Sequence, residues 1–162
     1  MDQIEEIYRR HASAVFRFAW GLCGNRARAE DLVSETFVRL LTRAPKIHTQ
    51  TALAYLLAIA RNVYLTSHKR HSREVPLEGV FPAREVDPGV QIDDRARLDT
   101  ALKALAELPE GERAALLLRV DFDLPYEEIA AALGISEGAV KVRVHRARMR
   151  LAEILEAKGK NR

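Results

Sequence analysis

Apolar residues along the first seventy positions recur at steps of three and four. Ile4, Tyr8, His11, Val15, Phe18 and Leu22 share one stripe, at about 100° per residue, of a helix over 2–22 that Gly24 and Asn25 end. The pattern returns over 29–43 in Leu32, Val33, Thr36, Phe37, Leu40 and Leu41, closed by Pro45, and over about 51–70 in Leu53, Leu56, Ala60 and Val63. Three amphipathic helices on short connections can share one core. The period then fails. EVPLEGVFPAREVDPGVQIDD, residues 74–94, has three prolines, two glycines and several acids, which exclude a helix interior and resist burial. Helical spacing resumes over 96–108, over 110–120 after Pro109, over 126–133 after Pro125, and from 136 to about 157. Both prolines suit a first helical turn, where a missing N–H costs nothing. The expectation is an all-α protein of two small helical bundles joined by a flexible linker: residues 1–74, a linker over 75–95, and residues 96–162.

The second bundle contains YEEIAAALGISEGAVKVRVHRARMR, residues 126–150. Ile129 and Leu133 face inward, Ala130 allows close helix approach, Gly134 supplies a left-handed turn residue, Ile135 plugs the corner and Ser136 offers an N-cap. This order is that of a helix-turn-helix. On the final helix Val140, Val144, Ala147, Leu151, Ile154 and Leu155 form the buried stripe, while Lys141, Val142, His145, Arg146 and Met149 point away. Such a face is either a solvated basic surface or one that enters a DNA groove. The acids Asp121, Asp123, Glu127 and Glu128 stay upstream, which localises the positive field and favours DNA.

Charge changes the picture through its distribution. A formal net charge of +3 in 162 residues does not by itself indicate a nucleic-acid partner. Residues 1–74 carry 12 Lys/Arg against 7 Asp/Glu and residues 75–95 carry 2 against 5, so an acidic connector separates two basic regions. No run approaches the about 20 apolar residues of a membrane span, and the start MDQIEEIYRR is unlike a signal peptide, so no membrane insertion and a cytoplasmic location are expected. Cys23 is the only cysteine, read as a small buried apolar residue. No HExxH, paired-carboxylate or glycine-rich phosphate motif is present, so neither catalysis, a metal nor a cofactor is expected.

Three stretches together resemble a known family: IYRRHASAVFRFAWGLCGNRARAEDLVSETFVRLL, AYLLAIARNVYLTSHKR and LPEGERAALLLRVDFDLPYEEIAAALGISEGAVKVRVHRARMRL. In this order they resemble the extracytoplasmic-function sigma factors of the sigma-70 type, the smallest promoter-recognition subunits of bacterial RNA polymerase. The resemblance implies four partners: the clamp of the largest polymerase subunit, the flap of the second largest, promoter DNA and an anti-sigma factor. It makes AEDLVSETFVRLL the polymerase-docking helix, with Asp31, Leu32, Glu35, Thr36 and Arg39 as docking residues, Leu32 and Phe37 lying mainly in the core. The acids there also suit a first helical turn, which the helix dipole favours.

By the same resemblance the connector 46–51, with Lys46, His48 and Thr49, walls a pocket for a flipped minus-10 base. Arg61, Asn62, Tyr64, His68, Lys69 and Arg70 hold the strand and its phosphates. Departures from the family pattern are Ala52, Leu53, Ala54 and Tyr55 before the shared Ala-Arg-Asn, Ser34 for a common glutamine, and Leu41 for a common aromatic. Leu53 and Tyr55 fit the core equally well. For the minus-35 element the resemblance implies Ser136, Gly138, Ala139, Lys141, Val142, Arg143, His145 and Arg146. Lys141 lacks the fork with which an arginine fixes guanine, and each good base contact is worth about 1–3 kcal/mol, so specificity is open to redirection here. The alternative is a polymerase-independent helix-turn-helix regulator, which leaves AEDLVSETF and the Ala-Arg-Asn segment unexplained.

Overall fold

In a computed structural model the protein is described over residues 2–43, 46–73 and 92–160, with the side chains of 2, 68–73 and 92 excepted. Among these residues there are seven helices and no strand: α1 (Asp2–Cys23), α2 (Arg26–Thr42), α3 (Ala52–Arg73), α4 (Ile92–Ala106), α5 (Glu110–Val120), α6 (Tyr126–Leu133) and α7 (Glu137–Lys160). Pro45 and residues 75–91 of the expected linker lie outside the described residues.

Two helices start earlier than apolar spacing predicts, and polar residues set both starts. Gly24 turns the chain at φ +69°, and Asn25 then accepts the Arg28 N–H through its side chain at 2.9 Å, so α2 opens at Arg26 rather than at 29. Residues 92–95, read as the end of the linker, form the first turn of α4, where Asp93 and Asp94 suit the positive end of the helix dipole.

Helices α1 and α2 pack on each other and on α3, and Val15, Phe18, Ala29, Leu57 and Ile59 are sealed between them. Each of these side chains except that of Ala29 contributes roughly 1.5–3 kcal/mol when removed from water. The stripes run wider on α3 and narrower elsewhere. Leu56 to Ala60 are all buried because α3 meets α1 and α2 on one side and α6 on another. Conversely Tyr8, Leu41 and Leu155, predicted inside, are exposed; Tyr8 still lies edge-on to Phe37 at 4.9 Å.

The two helical groups do not stand apart. Buried residues of α1–α3 and of α5–α7 form one continuous apolar core, with α1 against α4 and α5 and α3 against α6. Phe18 meets Phe122 edge-to-face at 6.0 Å, and Leu117 lies over Gly21 so closely that a Cβ there would stand 2.9 Å from its Cδ1. A smaller cluster of Leu108, Leu116 and Ala147 holds α5 to α7.

Candidate nucleic-acid interface

The corner between α6 and α7 is built as its sequence requires. Gly134 adopts φ +68°, a conformation that L side chains resist, and Ile135 N–H closes on the Ala130 carbonyl at 3.1 Å. Ser136 then accepts the Ala139 N–H at 3.1 Å and starts α7. Val140, Val144 and Ala147 bury the inner face, so Lys141, Val142, His145, Arg146 and Met149 are presented outward. Val142 is 47% exposed. Lys141 holds its ammonium 5.6 Å from the centre of the Tyr126 ring, and Arg119 stacks on that ring at 4.5 Å while donating to the Leu124 carbonyl. Among the described residues no ion pair holds Lys141, His145 or Arg146. Ser136 and Gly138 are exposed and Ala139 half-buried at the mouth of the turn. Arg143 departs from the set: it is half-buried and turned towards α5, where a Cβ added at Gly111 would stand 2.8 Å from its guanidinium.

The residues singled out on the first half are placed differently. Lys46, His48 and Asn62 are exposed and Thr49 is half-buried. Arg61 is engaged: its Nε and Nη2 donate to the two carboxylate oxygens of Glu110 on α5, at 2.8 and 2.9 Å. Tyr64 is 5% exposed and its phenol accepts from Arg113 at 3.3 Å. In this conformation neither reaches a strand. His68, Lys69 and Arg70 belong to the last turns of α3, and their side chains lie outside the described residues. Beside the proposed pocket wall, Gln50 N–H donates to Glu128 of α6 at 2.7 Å. Glu128, one of the acids upstream of the cationic face, is buried.

On α2, Asp31 and Glu35 are exposed, with Glu35 paired to Arg39 at 3.6 Å along the helix. Thr36 is a correction: it is fully buried and its hydroxyl donates back to the Leu32 carbonyl at 2.6 Å, so it belongs to the core together with Leu32. The accessible apolar groups of this region are Val38, Leu41 and Tyr8.

Arg113 was not singled out from the sequence. Its guanidinium donates to the carbonyls of Leu105 (2.8 Å), Ala106 (3.3 Å) and Leu108 (2.7 Å) after α4 and of Leu22 (2.6 Å) at the end of α1. One cation thus satisfies the open carbonyl ends of two helices from different halves. A signal was present: Leu116 and Leu117, one turn on along α5, make Arg113 a charge on an apolar face. Cys23 is partly buried, its thiol donating to the Asn25 carbonyl at 3.2 Å, and burial pushes its pKa up.

A helix-turn-helix with an outward cationic face, preceded by a three-helix bundle, defines the class of helical DNA-binding proteins. Residues 7–74 match the family model for Sigma-70 region 2 and residues 98–151 that for Sigma-70, region 4. The chain is 36% identical over 162 residues to the ECF RNA polymerase sigma factor SigE of Mycolicibacterium smegmatis, covering 96% of this chain and 62% of that one. It is 33% identical to the ECF RNA polymerase sigma factor EcfG of Rhodopseudomonas palustris, over 88% of this chain and 79% of that one. The sigma factor RpoE of Bartonella quintana, solved in complex with the anti-sigma factor NepR, superposes with a TM-score of 0.79 at 28% identity, covering 96% of this chain and 98% of that one. The chain belongs to the ECF RNA polymerase sigma factors, a family of transcription initiation factors rather than enzymes. The region 2 match also accounts for the segments that a polymerase-independent regulator leaves unexplained. Among the described residues no helix is long and apolar enough to cross a membrane.

Proposed function

We propose that this chain acts in the cytoplasm as an alternative sigma factor, binding core RNA polymerase and directing it to promoters with particular minus-10 and minus-35 elements. The observation that carries the reading is the presence, in order on one chain, of a region 2 match and of a region 4 match whose second helix exposes Lys141, Val142, His145 and Arg146. Residues 1–74 are the polymerase-docking and minus-10 part and the minus-35 part begins with α4 at Ile92. On α2, Asp31, Glu35 and Arg39 make the polar contacts to the clamp, and the exposed Val38 and Leu41 lie on the same helix. On α7, Lys141 and Arg146 supply charge to the duplex and Val142 offers a methyl surface to a thymine.

The chemistry is positional. Cations neutralise phosphates and fix register, base edges supply discrimination, and no bond in the chain is made or broken. The relative in Bartonella quintana was solved with an anti-sigma factor, which supports the same kind of partner for this chain. Replacing Asp31 and Glu35 together by alanine tests the docking assignment. Co-purification with core polymerase should fall while affinity for duplex DNA stays unchanged; equal loss of both would refute the assignment.

A further inference from the structure

We propose that the free chain restrains itself: the helix-turn-helix half engages Arg61 and Tyr64 on the strand-reading face of the first half, with the Arg61–Glu110 pair as the latch. The inference rests on the promoter-binding reading and adds a state in which only one of the two elements can be read.

Four polar contacts add to the shared apolar core in making the closure. The two-pronged Arg61–Glu110 bond joins α3 to α5, with only 13% and 23% of the two side chains exposed. Glu128 of α6 holds the Gln50 N–H beside the pocket wall. Arg17 of α1 pairs with Asp121 at 3.3 Å and lies 5.1 Å over the Phe122 ring. Arg113 ties the end of α1 to the end of α4 and reaches Tyr64. The Glu110 carboxylate thus takes the guanidinium of Arg61 that a phosphate would otherwise use, so carboxylate and nucleic acid compete for Arg61. Neither the cationic face of α7 nor the exposed Tyr8, Val38 and Leu41 is covered, so duplex DNA and a docking protein can both approach the closed form. A partner that binds the open form better shifts the population towards it.

The backbone supplies a clean way to open the latch. At Gly21, inside α1, the three atoms nearest an added Cβ all belong to Leu117 of the other half. Gly21→Leu therefore wedges the interface, and a helix interior favours leucine over glycine. Glu110→Gln is the second variant: it removes the charge that holds Arg61 and keeps the side-chain shape.

The full chain and both variants are compared by small-angle X-ray scattering and by titration of fluorescein-labelled oligothymidine. A compact body of this length has a radius of gyration of about 15 Å. The wild type should give that value and Gly21→Leu a distinctly larger one. If the wild type is closed nine-tenths of the time, opening should tighten strand binding about tenfold. Glu110→Gln should move affinity in the same direction. A wild type already as expanded as Gly21→Leu would overturn the proposal, as would unchanged strand affinity in both variants. Neither assay contains polymerase. A chain that opens and gains strand affinity yet starts no transcription with core polymerase would leave the latch standing and sink the promoter reading instead.

Discussion

Arg61 and Arg146 are the same residue type on helices with well-formed apolar stripes, yet they meet opposite fates. Arg146 projects from α7 into solvent, ready for phosphate, whereas Arg61 projects from α3 into the carboxylate of Glu110. Hydrophobic spacing reports the direction in which a side chain leaves its own helix. It does not report what arrives to meet it, and that depends on how the two halves pack. Of the strand-reading candidates Arg61 and Tyr64 are engaged while Lys46, His48 and Asn62 stay exposed, and of the duplex-reading ones Lys141, Val142, His145 and Arg146 face solvent. On the closure proposed above, duplex contact and docking come first and strand capture through Arg61 waits for the halves to part.

The largest effect that can break this contrast is expected at Arg113. Arg113→Met removes the guanidinium donor from the carbonyls of Leu22 and Leu108 and one of the two donors to Leu105, which keeps the Leu108 N–H, and unfolding free energy in urea should drop by about 3 kcal/mol or more. A drop below about 0.5 kcal/mol would mean that water replaces the guanidinium without loss. Next comes Glu110→Gln, which trades a charge-assisted two-pronged bond for a neutral one; stability should fall by about 1–2 kcal/mol while strand affinity rises. A stability loss with no gain in affinity separates structure from inhibition.

On the open side, Arg146→Ala should lower the slope of log duplex affinity against log salt by roughly 0.9, the value for one lost phosphate contact. The same decrement is expected in the Gly21→Leu background, because α7 is uncovered in both states. A decrement confined to the opened variant would show that the closed form hides this face too.

Cys23 sharpens the comparison without a mutation of its own. As the only thiol it reports without background, and burial raises its pKa, so its reaction with a disulfide reagent should be slow at pH 7. Gly21→Leu should speed it, because burial is the largest cause of the raised pKa and its relief on parting the halves outweighs the loss of the nearby Arg113 charge, which acts the other way. The smallest effect is expected at His11, whose pKa is lowered by burial and then by Arg10. The folded state therefore favours the neutral ring. That contribution is present above the unfolded value of 6.5 and is lost as pH falls through the lower folded pKa. His11→Gln should flatten the acid-side slope of stability slightly; an unchanged slope would place the titration elsewhere.

Much of this molecule was readable from residue order. Gly134 and Ser136 announce the helix-turn-helix because each has a conformational or capping role that few other residues fill. The stripe Val140, Val144, Ala147 fixed which face of α7 carries the cations. The early starts of α2 and α4 were missed because Asn25 and the Asp93–Asp94 pair act through the backbone and the dipole, to which apolar spacing is blind. Spacing already put Thr36 on the inner stripe of α2 while the family resemblance named it for docking; the structure sides with the spacing, because the helix absorbs the hydroxyl on its own Leu32 carbonyl. The partners of Arg61, Glu128 and Arg113 lie 49, 78 and 91 positions away along the chain, beyond the reach of any local period.

The central claim, that this chain selects promoters for RNA polymerase, is tested most directly by run-off transcription with purified core enzyme on DNA enriched for binding to the polymerase–chain complex. The account predicts defined start sites that require both the chain and the core enzyme and that are lost when Asp31 and Glu35 are replaced together. Start sites that appear equally without the chain, or their absence from every enriched template, would contradict it.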